Sequence, residues 1–388
     1  MAKLNIKLLV FSGAERQFFE NAKSYLYKIL DKNKINFVNE NPDILFFLSG
    51  GSESQAINLS DKQKYYGIIS VKEENAFAAA VETKAFLDNS GYSSELVLPN
   101  EISTAKFLNN YYNIKNGLEN LFGKRLGLIG KTSNWLISSK SDSKTLKSKL
   151  GISLINILNS KLLDYEKANT SAEFLSTFKK YNNNELQNAS KVYTILDEII
   201  KNEKLDAITV ECFPLVVEKS VTACLALSKL NSKNIPAGCE GDTTSISGIM
   251  LAQEVCEIIP WMANLAYIED NKITFAHCTA PLNLISDVNI TTHFETDKGT
   301  AINGKFKKET VTIFRTNSSL TKAFLTKGEI INNPDNSTCC RTQIEVRISK
   351  EKARLLLKQP LGNHHLILPG DFIDQFTLLF KLLKIEIL

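Results

Sequence analysis

The 388-residue sequence contains four histidines and seven cysteines, and every one lies between Cys212 and His365. A site built on imidazole or thiolate must therefore come from the second half of the chain. The sharpest local pattern there is Gly238-Cys239-Glu240-Gly241-Asp242, two carboxylates flanking a glycine ahead of a helical run from about Thr243 to Ile258. Asp242 or Thr243 is expected to cap that helix by accepting from its free N–H groups. Glu240 lies too early to cap. It is expected to project beyond the sheet, where a carboxylate can hold a divalent ion or move a proton. His277 ends a strand pattern, His293 sits in Thr292-His293-Phe294-Glu295, and His364 and His365 are neighbours. On an extended chain adjacent side chains point to opposite faces, so at most one of His364 and His365 enters a given site. Together with Glu240 these histidines make a mixed carboxylate–imidazole set, which suits Mn²⁺ or a similar ion better than a structural zinc.

Other patterns are weaker. Gly130-Lys131-Thr132 matches the end of a phosphate-binding loop, but the glycine required five residues earlier is Arg125, so the segment reads as an ordinary strand-to-helix loop. Ser49-Gly50-Gly51-Ser52-Glu53 follows a strand pattern, either as a tight turn or as a contact for a sugar hydroxyl or phosphate. No cysteine pair has C-x-x-C spacing, Cys339 and Cys340 are adjacent, and the count is odd, all of which fits reduced, buried thiols.

The elements that must position these groups follow from periodicity. Leu4 to Phe11, Asp43 to Leu48 and Tyr66 to Val71 read as strands, alternating with helical spacing at Phe18 to Leu30 and Ala76 to Leu87. That alternation implies a parallel sheet covered by helices. A second set starts with the strand Leu126 to Ile129. It runs mostly helical to about 200, with an exposed turn at 180–185, and continues with the strand Asp206 to Val210 and helical spacing from Val217 to Leu230. From Trp261 the period changes to two, at Asn264 to Ile268, Lys272 to His277, Thr310 to Phe314 and Gln343 to Ile348, before a helix at Phe372 to Leu383. The expected fold class is α/β. Two parallel-sheet domains, 1–115 and 116–260, precede an antiparallel, barrel-like β domain, 261–388, with a terminal helix and strand.

The net charge, 46 − 42 = +4 over 388 residues, is too weak a field for a strongly basic nucleic-acid binder. An apolar fraction of 43% is that of a globular chain. The apolar run after Lys7 is too short for a signal peptide, and no stretch approaches the roughly 20 apolar residues of a membrane helix. A soluble, cytoplasmic protein is expected.

Gly238-Cys239-Glu240-Gly241-Asp242, His277-Cys278, His293-Phe294-Glu295-Thr296 with Gly299, Thr312-Ile313-Phe314-Arg315, and Gly362-Asn363-His364-His365 with Pro369-Gly370-Asp371 occur in this order. As a series they resemble the L-fucose isomerase / L-arabinose isomerase superfamily, especially its shorter fucose-isomerase-like members. The resemblance runs from about Asp206 to the C-terminus, and Gly50 to Glu53 and Leu126 to Leu136 also look like family segments. It implies two α/β domains followed by a β-barrel-like domain, and a homo-oligomer, trimer or hexamer. It also implies Mn²⁺-dependent interconversion of an aldose and a ketose through an enediol, on a neutral or deoxy sugar such as L-fucose or L-arabinose. Carried over by position, Glu240 matches the first acidic metal ligand. His364, with His365 as its alternative, matches the late histidine ligand, and His277 resembles the middle histidine of the arabinose-type enzymes. The second acidic ligand is where the chain departs, because Asn264 or Ala263 stands there. Asparagine offers a metal its carbonyl oxygen but is no base near neutral pH. Either Glu211, Asp242 or Asp270 takes the second acidic role, or the chemistry is altered, or the protein is a non-catalytic sugar-binding or regulatory relative. Asp242 stands beside Glu240 as a catalytic candidate, with His293, Arg315 and Glu211 as candidates to bind the sugar.

Overall fold

Residues 2–58, 61–180 and 184–388 are described by the computed structural model, so the core of the turn expected at 180–185, residues 181–183, lies outside the described residues. The chain divides into two compact units, Met1–Glu119 with Thr377–Lys384, and Asn120–Phe376 with Ile385–Leu388. Most of the second and third regions expected from the sequence thus falls within one unit, while Thr377–Lys384 belongs to the first.

The first unit is a parallel sheet. Its elements run β1 (Leu4–Leu9), α1 (Arg16–Ile29), β2 (Ile35–Phe37), β3 (Ile44–Phe47), α2 (Glu53–Asn58), β4 (Tyr65–Ser70), α3 (Ala76–Asn89), β5 (Ser93–Leu96) and the long α4 (Glu101–Leu121). The sheet order is β2-β1-β3-β4-β5. The apolar run of β3 is buried at every position, and so is β4, as a sheet covered on both faces requires. Leu45, Phe47, Tyr66 and Ile68 pack against Ala76, Ala79, Ala80 and Leu87 of α3. Each large side chain removed from water in this way stabilises the fold by about 1.5–3 kcal/mol.

The second unit opens with a parallel sheet of order β7-β6-β8-β9. It is built from β6 (Arg125–Ile129), α5 (Ser143–Leu150), β7 (Ser153–Ile157), α6 (Ser160–Leu163), α7 (Ala172–Thr177), α8 (Asn184–Asn202), β8 (Ala207–Val210), α9 (Phe213–Lys219), α10 (Cys224–Ser232), β9 (Ala237–Cys239) and α11 (Thr243–Cys256). Two local readings differ from the sequence expectation. The stretch to 200 includes β7, whose residues are mostly half-buried and so lack an apolar run. The helical spacing of 217–230 is two helices, because the first ends at Ser220 with φ +57.

The chain then changes architecture, as the period change at Trp261 predicts. The strands are β10 (Trp261–Glu269), β11 (Lys272–His277), β12 (Ile285–Thr291), β13 (Ala301–Phe306), β14 (Thr310–Thr316), β15 (Lys322–Asn332) and β16 (Thr342–Arg347). After α12 (Lys350–Lys358) come β17 (His364–Pro369), α13 (Ile373–Leu382) and β18 (Glu386–Ile387). The sheet runs β14-β17-β10-β11-β16-β15, and a further β14–β15 pairing closes it into a barrel. Closure leaves those six strands without a free edge.

Helix α11 forms the seam between the parallel sheet and the barrel, touching β8 and β9 on one side and β14 and β17 on the other. Gly248 permits that approach: a Cβ there would lie 2.6 Å from Leu366 Cδ1. Among the described residues no helix is long and apolar enough to cross a membrane.

Candidate functional site

The turn from β9 into α11 carries Glu240 and Asp242. Glu240 has φ +59 and Gly241 φ +65, two successive left-handed residues. Glycine is required at 241 by space as well, since a Cβ there would lie 2.3 Å from the Lys131 carbonyl oxygen. The strained Glu240 backbone is held by a 2.9 Å hydrogen bond from the Ser133 N–H to its carbonyl. Asp242 caps α11: its Oδ1 accepts from the Ser245 N–H at 2.6 Å, and its Oδ2 accepts from the Ser245 hydroxyl at 2.8 Å.

The barrel supplies the imidazoles. His277 ends β11 and His364 begins β17, with ring centroids 5.5 Å apart. One donor atom from each of Glu240, His277 and His364 lies within 4.8 Å of the other two. Asp242 fixes the orientation of His364, with Oδ2 2.9 Å from Nδ1. Burial alone would raise the Asp242 pKa, but the His364 hydrogen bond and the Arg315 charge outweigh it and hold the carboxyl below its ordinary value. An ionised Asp242 can only accept, so Nδ1 of His364 donates to it and Nε2 is left facing Glu240. That Nε2 is buried, has no hydrogen-bond partner, and lies 3.9 Å from Glu240 Oε1. His277 is turned the same way. Its Nδ1 is 2.9 Å from the Thr279 hydroxyl, while burial, with His364 and His293 nearby, pushes its pKa well below the ordinary value. Both rings thus have Nδ1 engaged by a protein partner, the arrangement that orients a ligating imidazole.

The group is chemically suited to a divalent ion. Two ligands each about 2.1 Å from a common ion are at most about 4.2 Å apart, so small side-chain movements would bring the three donors into range. The carboxylate backing His364 is the kind of outer partner that fixes a ligating imidazole.

The remaining sequence candidates divide. Asn264 is the direct partner of His364 in the β10–β17 ladder and accepts at Oδ1 from Asn363 Nδ2 at 2.7 Å, so it borders the cluster without adding a carboxylate. His365 is elsewhere: its ring packs near Phe275 and Phe324, and its Nδ1 donates to the Asn363 carbonyl at 2.9 Å. Burial drives its pKa down to about 3. His293 neighbours the cluster, with Nε2 3.2 Å from Glu295 Oε2 and its ring 5.8 Å from that of Phe213. Asp242 is fully buried and committed to Ser245 and His364, which leaves it a positioning role and no route to a reacting atom. Arg315 is also buried. Its terminal nitrogens donate to Ser139 Oγ, Ser245 Oγ and the His364 carbonyl, so it braces the site from beneath and does not reach a sugar. Glu211 accepts from the Lys131 N–H at 3.0 Å and anchors the 130–135 loop. Asp270 sits in an exposed turn and pairs with Lys350 at 3.0 Å.

Three participants carried no signal in the spacing of charged residues. Trp135 donates from Nε1 to Glu240 Oε2 at 2.6 Å, Ser139 holds Arg315, and Thr279 holds His277. Among them only Trp135 is of a scarce residue type, one of two tryptophans in the chain. Five of the seven cysteines are buried, with Cys212 and Cys239 Sγ atoms 3.2 Å apart and Cys224, Cys278 and Cys340 packed together, while Cys256 and Cys339 are partly exposed.

No family model matches the sequence. The chain is similar to two curated relatives, sulfoquinovose isomerase of Priestia aryabhattai and of Priestia megaterium. Each is 21% identical over 309 residues, which cover 74% of this chain and 69% of the relative. The similarity is thus to sugar isomerases, at low identity.

Proposed function

We propose that the protein is a divalent-metal-dependent aldose–ketose isomerase acting on a neutral sugar. The observation that carries this reading is the convergence of Glu240, His277 and His364, with the His364 Nε2 atom buried and without a hydrogen-bond partner among the described residues. Similarity to sugar isomerases over most of the chain supports the reaction class. Mn²⁺ is the ion of choice for this donor set, and when bound it supplies polarisation of the sugar's carbonyl and adjacent hydroxyl oxygens. His277 and His364 hold that ion from the barrel, and Glu240 holds it from the parallel sheet. Glu240 is the carboxylate of the cluster and moves the proton between the two carbons. Trp135, bonded to Glu240, and the neighbouring His293 are the side chains assigned to bind the sugar.

The name of the two relatives points to a sulfonated sugar, whereas the charges here favour a neutral one. The cluster itself contains the acid Glu240, and Glu295 pairs with the neighbouring His293, while Arg315 is buried and engaged and Arg341 pairs with Asp297 at 3.2 Å. Asn264 beside His364 supports a second reading, a sugar-binding relative without turnover. The test is incubation with Mn²⁺ and a panel of L-fucose, L-arabinose, other aldoses and sulfoquinovose, followed for ketose. Ketose from a neutral aldose supports the first reading. Ketose from sulfoquinovose alone overturns the neutral-sugar assignment. No ketose from any member, with a sugar still raising the melting temperature, supports the second reading.

A further inference from the structure

Glu240 is gripped from one side by the loop that follows β6. The Ser133 N–H bonds its carbonyl at 2.9 Å, the Thr132 hydroxyl bonds the Gly241 carbonyl at 2.8 Å, and Trp135 Nε1 bonds its carboxylate at 2.6 Å. The loop is itself fixed, by the Glu211 carboxylate at Lys131 and by an edge-on contact of Trp135 with Phe213 at 4.7 Å. Trp135 is nonetheless 53% exposed, which is uncommon for an indole. An indole N–H is a permanent donor with no acceptor capacity. It therefore occupies Oε2 and leaves Oε1, the oxygen 3.9 Å from His364 Nε2, for the ion.

We infer that Trp135 is a positioning residue that makes Glu240 a one-oxygen ligand. This rests on the metal reading above. A carboxylate free to turn would chelate through both oxygens or swing out to solvent. One held by the indole presents a single oxygen and keeps a coordination position open for a sugar oxygen. The left-handed Glu240 backbone leaves the carboxylate few other placements, so the indole completes a restraint that the turn begins.

The test uses Trp135→Phe, which retains the ring against Phe213 and removes the donor. With no metal present, the chain's two indole N–H resonances are compared between the wild type and Glu240→Gln. The resonance that is absent in Trp135→Phe is expected to move in Glu240→Gln, and no movement overturns the hydrogen bond. Mn²⁺ binding is then followed by electron paramagnetic resonance. Trp135→Phe is expected to bind about 10–100-fold more weakly than wild type, the usual effect of losing a partner that orients a ligand. Equal affinity overturns the inference. A wild type that binds no Mn²⁺ while its indole resonance still responds to Glu240→Gln sinks the metal reading instead, and with it the role of Trp135 toward the ion. Equal melting temperatures for wild type and Trp135→Phe show that any loss is not a loss of fold.

Discussion

The turn after β3 and the turn after β9 both leave the C-terminal end of a parallel strand, β3 at the centre of its sheet and β9 at an edge, and their polar groups are used very differently. After β3, the Ser49 hydroxyl accepts from the Phe11 N–H at 2.9 Å, and Ser52 bonds back to the Ser49 carbonyl at 3.1 Å. These contacts stay within the first unit, the longer spanning 38 positions. The cavity of about 490 Å³ lined by Phe18, Tyr25, Leu48 and Glu73 lies in a unit without imidazole or thiol. After β9, the carboxylates of Glu240 and Asp242 reach across to residues 105 and 122 positions away. A glycine turn at the end of a parallel strand is thus a placement device. What it does depends on which groups a second element brings to it, and here a closed barrel brings two histidines.

Substitutions can break that contrast, and the largest expected effect is at Glu240. Glu240→Gln should lower isomerisation by about 10²–10⁴-fold, the span of a lost general base, with the melting temperature nearly unchanged. Asp242→Ala strikes the fold instead. It leaves Arg315 buried without its anion, at 3.9 Å, and removes both a cap and the His364 partner. A loss of about 3–5 kcal/mol is expected, read as a shift in denaturant midpoint.

His365 sharpens the same contrast, because it is chemically identical to its neighbour and differently placed. Its folded pKa of about 3 lies below the unfolded value, so the unfolded chain binds a proton that the folded chain refuses. Stability therefore falls as pH drops from about 6.5 toward about 3, by up to about 1.4 kcal/mol per unit for this group. His365→Phe should flatten that slope in denaturant titrations while turnover is retained. The smallest effect is expected at the turn after β3. Ser49→Ala should cost about 0.5–1.5 kcal/mol in an unfolding measurement and leave activity untouched.

The sequence made some of this legible for physical reasons. Buried parallel strands such as β3 and β8 announce themselves as apolar runs, and the change to period two at Trp261 marks a half-exposed sheet. Asp242 as a helix cap is a local matter, and local matters survive in one dimension. Other features depended on packing. β7 is mostly half-buried and was hidden in a helical reading, and the barrel is completed by β17 pairing with both β10 and β14, long-range pairings that no local period encodes. Alternation on a strand predicted that His364 and His365 would part, but only tertiary contacts say which one meets Asp242. Arg315 looked available for a substrate because its burial beneath Gly362 and His364 is a property of the assembled barrel.

The hydrogen bonds that assemble the site join residues 105, 122 and 176 positions apart, at Trp135–Glu240, Asp242–His364 and Ser139–Arg315. Contacts at such separations form after large loops have closed, so they belong to the late stages of folding. Weakening the two buried ones, Asp242–His364 and Ser139–Arg315, should quicken unfolding and leave the folding rate close to that of the wild type. The site would then govern how long the chain stays folded, while the local α/β units govern how soon it folds.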